Sequence, residues 1–270
     1  MNDTRRTDSL LRPPARRYAG YALDLDGTVY LGDALLPGAD EAIAQLRGDG
    51  ARVVFVTNKT LESARDYAEK LTRLGVPATT DDIVTALDAL VLFLKEHHPR
   101  SRLLTVTEPL IDSVLTDAGF TVVSEPEESD VVVVSFDRTF DYAKLHAAYR
   151  AVRAGAVIVA TNADPYCPTA DGGLPDCAAM TAAIEACTGV RAEAVVGKPS
   201  LHMAKTCLDR LGVPASEAAV VGDRLDTDVA MGRAAGMAGI LVLTGATSPA
   251  DLTHSDIRPH AVVPSLKELL

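Results

Sequence analysis

Two aspartates, Asp24 and Asp26, interrupt the stretch YALDLDGTVYLGD at residues 21 to 33, which otherwise reads as a buried strand. A buried carboxylate without a partner costs several kcal/mol, and two placed close together also repel each other. In an extended chain both side chains leave the same face, roughly 7 Å apart. Either the strand is exposed, or something cationic stands at its end. Gly27 follows at once and lets the backbone turn sharply.

Other apolar runs end on polar groups of a complementary kind. ARVVFV ends in Thr57 and Asn58, AEAVVG runs into Lys198, and AAVVG runs into Asp223. Carboxylates at 24, 26 and 223 would make a hard, all-oxygen environment suited to Mg²⁺, an ion that keeps places for water and a substrate phosphate. Lys198 would add a second cation. The Thr57 hydroxyl and nearby backbone N–H groups would hold a phosphoryl oxygen. Phosphoryl transfer consists mainly of positioning and charge neutralisation, which this set supplies. One carboxylate can attack as a nucleophile, giving an aspartyl-phosphate, while the other protonates the leaving group and then activates water. Taken singly, Thr57 and Asn58 also fit an ordinary strand-to-loop turn, and Lys198 a solvated loop lysine.

Positioning these groups requires a particular scaffold. β-branched runs alternate with amphipathic helical patterns such as LESARDYAEKLTRLG, where Leu61, Ala64, Ala68, Leu71 and Leu74 share one face. Gly75 then supplies a left-handed stop, and the phrase LTRLGVP returns as LDRLGVP at residues 208 to 214. Continuous apolar strands alternating with helices predict an α/β fold: a Rossmann-like parallel sheet covered on both faces, with ligands bound beyond the carboxyl ends of its strands.

DLDGTVY, VTN, GKPS and GDRLDTD, in this order and spacing, resemble the four motifs of the haloacid dehalogenase (HAD) superfamily of phosphohydrolases. The likeness is to the branch of NagD-type and p-nitrophenyl phosphatase-like enzymes (subfamily IIA, with a C2-type cap), and it covers most of residues 20 to 245. The resemblance implies that Asp24 is the nucleophile and a metal ligand. It makes Asp26 the general acid/base, reaching the metal through its backbone carbonyl. Thr57 and Asn58 match the phosphate-binding second motif and Lys198 the third. Asp223 matches a direct metal ligand, and Asp228 the acidic partner behind it; Asp226 between them reads as a helix N-cap. The implied cofactor is Mg²⁺.

The same resemblance implies an α/β cap inserted between VTN and GKPS, and the runs at 102–106, 121–124, 131–136 and 156–161 support an insert with its own core. The expected organisation is a core of residues 1–98 and 191–270, with 1–18 a disordered leader, and a cap of residues 99–190. FDRTFDY and TNADPYCPTADGGLPD are the candidate substrate loops, with Asp137, Arg138, Asp164 and Tyr166 as the residues facing substrate. Arg138 could pair with a substrate carboxylate, and Tyr166 could stack on a ring. The substrate stays open among phosphoglycolate, pyridoxal phosphate, a nucleotide monophosphate and a sugar phosphate. Two departures from the family pattern, Lys59 where relatives carry asparagine and SFD where a glycine commonly precedes the aromatic, weaken any transfer of substrate identity.

The remaining features mostly exclude. A net charge of -11 opposes nucleic-acid binding. No run approaches the roughly 18 to 20 apolar residues that span a bilayer. The arginines at 5, 6, 12, 16 and 17 lack a following apolar stretch, so they make no signal peptide. Cys167, Cys177, Cys187 and Cys207 show no metal-site spacing, as expected of reduced thiols in a cytoplasmic protein. The partner expected is a small-molecule phosphate ester, with a homodimer through the cap left open. Alternative readings are a non-catalytic ligand-sensing protein on the same fold and a phosphonatase or dehalogenase. Dehalogenases of this type generally lack the second aspartate, so Asp26 counts against them, and retention of every charged motif residue favours catalysis.

Overall fold

In the computed structural model, which describes residues 10–167 and 173–269, strand Gly20–Asp24 is buried along its whole length, Asp24 included. Its neighbours explain why. It is the fourth strand of a six-stranded sheet whose order is Ala261–Val263, Ala238–Val242, Ala218–Gly222, Gly20–Asp24, Arg52–Thr57 and Ile83–Thr85. The pairings among the first five of these strands are parallel. Tyr21, Leu23 and Phe55 enter one apolar core with Ile43 and Leu46 of helix Ala39–Gly48 and Tyr67 and Leu71 of helix Ala64–Arg73. Helix Leu201–Leu211 lies outside that core and packs on the same two central strands.

After Gly20–Asp24 the chain builds strands on one side of it, and it later returns to build Ala218–Gly222 on the other. The sheet therefore reverses its direction of growth between these two strands, the place where parallel sheets hold ligands. The repeated helix-stop phrase is realised twice: Gly75 has φ +97° after Ala64–Arg73, and Gly212 has φ +67° as the cap of Leu201–Leu211. Glycine adopts that backbone without the steric cost other residues meet.

A second α/β unit has its own five-stranded parallel sheet, ordered Ala194–Val195, Val157–Ala160, Val131–Val134, Arg102–Val106 and Thr121–Val122. Val132, Val134 and Ile158 pack against Ala148 and Val152 of helix Tyr142–Ala154 and Ile184 of helix Cys177–Thr188. Both helices begin on aspartate caps, Asp141 accepting from the Lys144 N–H and Asp176 from the Cys177 N–H.

The chain divides at other points than the sequence expectation placed them. One unit draws on Met1–Thr57, Ala64–Val84 and Lys198–Leu270, the other on Asn58–Ser63 and Thr85–Gly197. Helix Ala86–His97, expected with the first unit, belongs to the second, because its apolar character gave no indication of which sheet it would cover. The expected leader needs a similar correction. Residues 1–9, with Arg5 and Arg6, lie outside the described residues. Beyond them, Leu10 and Leu11 pack against Leu241, Leu252 and Val262, and Arg12 exchanges two backbone hydrogen bonds with Val262 at 2.9 and 2.8 Å. No described helix is long and apolar enough to cross a membrane.

Candidate active site

Asp24 closes its strand, and Asp223 directly follows Ala218–Gly222, the strand paired with it in the register Leu23↔Val221. Parallel pairing thus delivers two carboxylates to adjacent carboxyl ends. A third arrives on a wide π-helical turn, Leu225–Val229, which turns Asp228 back toward the sheet. A carboxylate oxygen from each of Asp24, Asp223 and Asp228 lies within 4.8 Å of the others, and all three residues are buried.

Glycine makes this crowding sterically feasible. A Cβ at Gly222 would stand 2.1 Å from the Asp228 carboxyl carbon, and one at Gly245 would stand 2.0 Å from Asp223 Oδ2. The Ala246 N–H donates to Asp223 Oδ2 at 2.5 Å, and the Arg224 N–H donates to Asp228 Oδ2 at 3.2 Å.

Lys198 supplies the only positive charge these interactions show among the described residues. Its ammonium donates to Asp24 Oδ1 at 2.5 Å and to Asp228 Oδ1 at 2.7 Å, with the residue 4% exposed. The sequence alternative of a solvated loop lysine is thereby corrected. Burial opposes its charge, but Asp228 and Asp24 outweigh that and hold the ammonium above its ordinary value. The carboxylates are less well compensated. Burial, with repulsion from Asp228 and Asp223 opposed by Lys198, pushes Asp24 up to about 8. Burial and Asp228 push Asp223 up to about 6. Three carboxylates against one ammonium leave a deficit of positive charge, and the donors are all hard oxygens. That donor set fits Mg²⁺.

Asp26 is not one of these three. It is half-buried in the turn after the strand, where the Gly27 N–H donates to the Tyr30 carbonyl at 2.7 Å. A Cβ at Gly27, whose φ is +86°, would lie 2.6 Å from Asp223 Oδ2. The turn therefore runs directly beside the acidic cluster. Thr57 ends the strand on the other side, one residue beyond the Asp24↔Val56 register, and is buried.

Asn58, Arg138 and Tyr166 belong to the second unit. The Asn58 amide donates to Asp164 Oδ2 at 3.1 Å, and the Asp164 N–H donates to Asn162 Oδ1 at 2.9 Å. Arg138 grips Glu108 through Nε at 2.8 Å and Nη2 at 3.2 Å. Tyr166 is 55% exposed, on a two-residue strand paired with Leu174–Pro175. Asp137 is committed to its own loop and the following helix, accepting from Thr139 N, Thr139 Oγ1 and Lys144 Nζ. Residues 168–172 of the second candidate loop lie outside the described residues.

Asp226 is not a helix cap. It lies inside the π turn, exposed, with its carboxylate toward Arg224, while the carboxylate returning to the backbone is that of Asp228. Sequence reasoning also passed over Asp176. It caps helix Cys177–Thr188, and burial together with Asp164 pushes it up to about 6 against the Cys177 N–H. Aspartate directly before a helical pattern was the available signal.

Residues 21–121 match the family described as haloacid dehalogenase-like hydrolase, and residues 195–269 match the one described as HAD-hydrolase-like. Sugar-phosphatase AraL of Bacillus subtilis is 38% identical over 251 residues, covering 93% of this chain and 92% of the relative. Among solved structures, the 4-nitrophenylphosphatase of Thermotoga maritima superposes with a TM-score of 0.88 at 38% identity, over 93% of this chain and 96% of that one. NagD from Escherichia coli K-12 gives a TM-score of 0.86 at 29% identity, over 94% and 98%. Such identity over nearly the full length of both chains, joined to the acidic strand ends and their buried lysine, places this chain in the HAD-like hydrolase family, on its NagD-like branch.

Proposed function

We propose that this chain is a Mg²⁺-dependent phosphatase of small phosphorylated metabolites, acting through an aspartyl-phosphate on Asp24. The observation that carries the reading is the buried group of Asp24, Asp223 and Asp228 bridged by Lys198, with Asp26 on the adjoining turn. Asp223, Asp24 and the Asp26 backbone carbonyl would hold Mg²⁺, with Asp228 behind them, and the bound ion supplies charge neutralisation for the phosphoryl oxygens.

Asp24 attacks phosphorus as the ester P–O bond breaks, and Asp26 in its acid form gives its proton to the departing oxygen. The Asp26 carboxylate then takes a proton from water, whose oxygen bonds to phosphorus as the Asp24 acyl-phosphate bond breaks. Inorganic phosphate leaves and both aspartates are regenerated. Lys198 and Thr57 hold phosphoryl oxygens throughout, the ammonium also keeping Asp24 and Asp228 in place.

The second unit serves as the cap that selects substrate and excludes water, with Asn58, Arg138 and Tyr166 as its contacts. The relative's name, sugar phosphatase, favours a sugar phosphate among the esters considered. Cytoplasmic location and a homodimer through the cap complete the proposal. The test is hydrolysis of p-nitrophenyl phosphate and a set of sugar phosphates, with Mg²⁺ and with chelator. Turnover by folded protein that vanishes on chelation supports the reading; turnover indifferent to chelation rejects the metal assignment.

A further inference from the structure

Although the chain is acidic, with a net charge of -11, it gathers, at one place away from the acidic cluster, cations that no described carboxylate pairs with. The tripeptide Arg258–Pro259–His260 leads into the edge strand Ala261–Val263. Arg233, at the end of helix Ala230–Ala234, donates to the Arg258 carbonyl at 2.8 Å. Arg12 donates to the Pro259 carbonyl at 2.5 Å, its own backbone clamped to Val262. Arg258 donates to the Leu252 carbonyl at 3.0 Å. The Gly239 N–H donates to His260 Nδ1 at 3.0 Å, which fixes the ring and leaves Nε2 to carry the proton of the neutral imidazole. The tripeptide thus receives two guanidinium groups on its carbonyls and adds that of Arg258, which reaches back to Leu252, and an oriented imidazole, all four residues exposed.

No described carboxylate pairs with any of these guanidinium groups, whose hydrogen bonds among the described residues all go to backbone carbonyls. A guanidinium has five N–H donors, so one carbonyl leaves most of them available. Burial holds the His260 imidazole below its ordinary value, and the charges of Arg233 and Arg12 lower it further. Cations held together without a counter-charge constitute an anion site, and planar guanidinium forks match phosphate oxygens. The place is separate from the catalytic rim. Gly239 is in register with Val220, three residues before Asp223, which is about 10 Å toward the amino ends of the parallel strands.

We infer that Arg12, Arg233, Arg258 and His260 form a second anion-binding site, taking a small phosphate-type anion of more than one negative charge. The chain's overall negative charge disfavours a nucleic acid as the occupant, since a phosphate backbone needs a longer basic track. Binding there would relieve the repulsion among the cations and tie the N-terminal segment at Arg12 to the loop at 258–260.

The test is calorimetric titration of the full chain with inorganic tripolyphosphate, and separately orthophosphate, in EDTA at constant ionic strength. Saturable binding is expected. Arg233→Gln with Arg258→Gln should weaken it by about tenfold or more while p-nitrophenyl phosphate turnover with Mg²⁺ stays within about threefold of wild type, and the charge-keeping pair Arg233→Lys with Arg258→Lys should lose less than the glutamine pair. Equal affinity for orthophosphate would identify reaction product as the occupant, and preference for tripolyphosphate a polyphosphate; either supports the site. Absence of saturable binding, or unchanged affinity in the glutamine pair, would overturn it.

Discussion

Replacing Lys198 by methionine removes the charge that holds two buried carboxylates while keeping most of the side chain's volume. The ammonium is 4% exposed and makes contacts of 2.5 and 2.7 Å with Asp24 and Asp228. Removing one member of a buried ion pair costs about 3–5 kcal/mol, because the remaining charge stays buried without compensation. The near-isosteric swap adds less than about 1.5 kcal/mol of packing loss. Protons offset part of the first figure: with Asp24 already pushed up to about 8 and Asp223 to about 6, both take up protons as pH falls. The expected loss in EDTA is therefore about 3 kcal/mol or more near pH 8.5, and less than half of that near pH 5.5. Urea unfolding of both proteins at the two pH values, followed by circular dichroism, reads the difference. A methionine variant within about 0.5 kcal/mol of wild type at the higher pH would refute the argument, since ordinary surface substitutions change stability by that much.

Further expectations follow from the same cluster. In EDTA the wild-type protein should lose stability as pH rises from about 4 to about 8. Asp24 and Asp223 have folded pKa values of about 8 and about 6, above the ordinary 3.8, so the native state binds more protons than the unfolded chain across that window. Mg²⁺ should flatten the slope; thermal melts across pH that show stability rising in EDTA would contradict the assigned burial. Gly222→Ala should cut turnover on p-nitrophenyl phosphate by about a hundredfold or more, because its Cβ would occupy the Asp228 carboxylate's position. Wild-type kinetics in that variant would mean the turn at 225–229 adapts freely. Arg138→Ala should change stability by only about 0–1 kcal/mol, as its pair with Glu108 is largely exposed on the arginine side. If Arg138 contacts substrate, the same variant raises KM on the preferred ester; unchanged kinetics would remove it from the substrate site.

Much of the core was legible because strand ends are marked by a switch from β-branched to polar residues. Asp24, Thr57 and Asp223 fall at such ends, and burial of their strands followed from unbroken apolar runs. The partnership of Lys198 with Asp228 was less accessible, since it depends on a π turn that no local pattern announces. The edge strands Ile83–Thr85 and Ala261–Val263 are three residues each, too short to show a period. Helix Ala86–His97 was visible as a helix, but its allegiance was settled by tertiary packing. The N-terminal arginines illustrate the opposite error. Their charge suggested a loose leader, whereas the intervening Leu10 and Leu11 anchor the chain from residue 10 onward.

The central claim is that Asp24 carries the phosphoryl group. Rapid acid quench during turnover of p-nitrophenyl phosphate with Mg²⁺, followed by borohydride reduction and peptide mass spectrometry, tests it most directly. An acyl-phosphate at Asp24 is reduced to the alcohol, so the peptide containing residue 24 should appear as its homoserine form. That form should be absent without substrate and in Asp24→Asn. Unreduced Asp24 in enzyme quenched at steady turnover, together with full activity of Asp24→Asn, would contradict the mechanism.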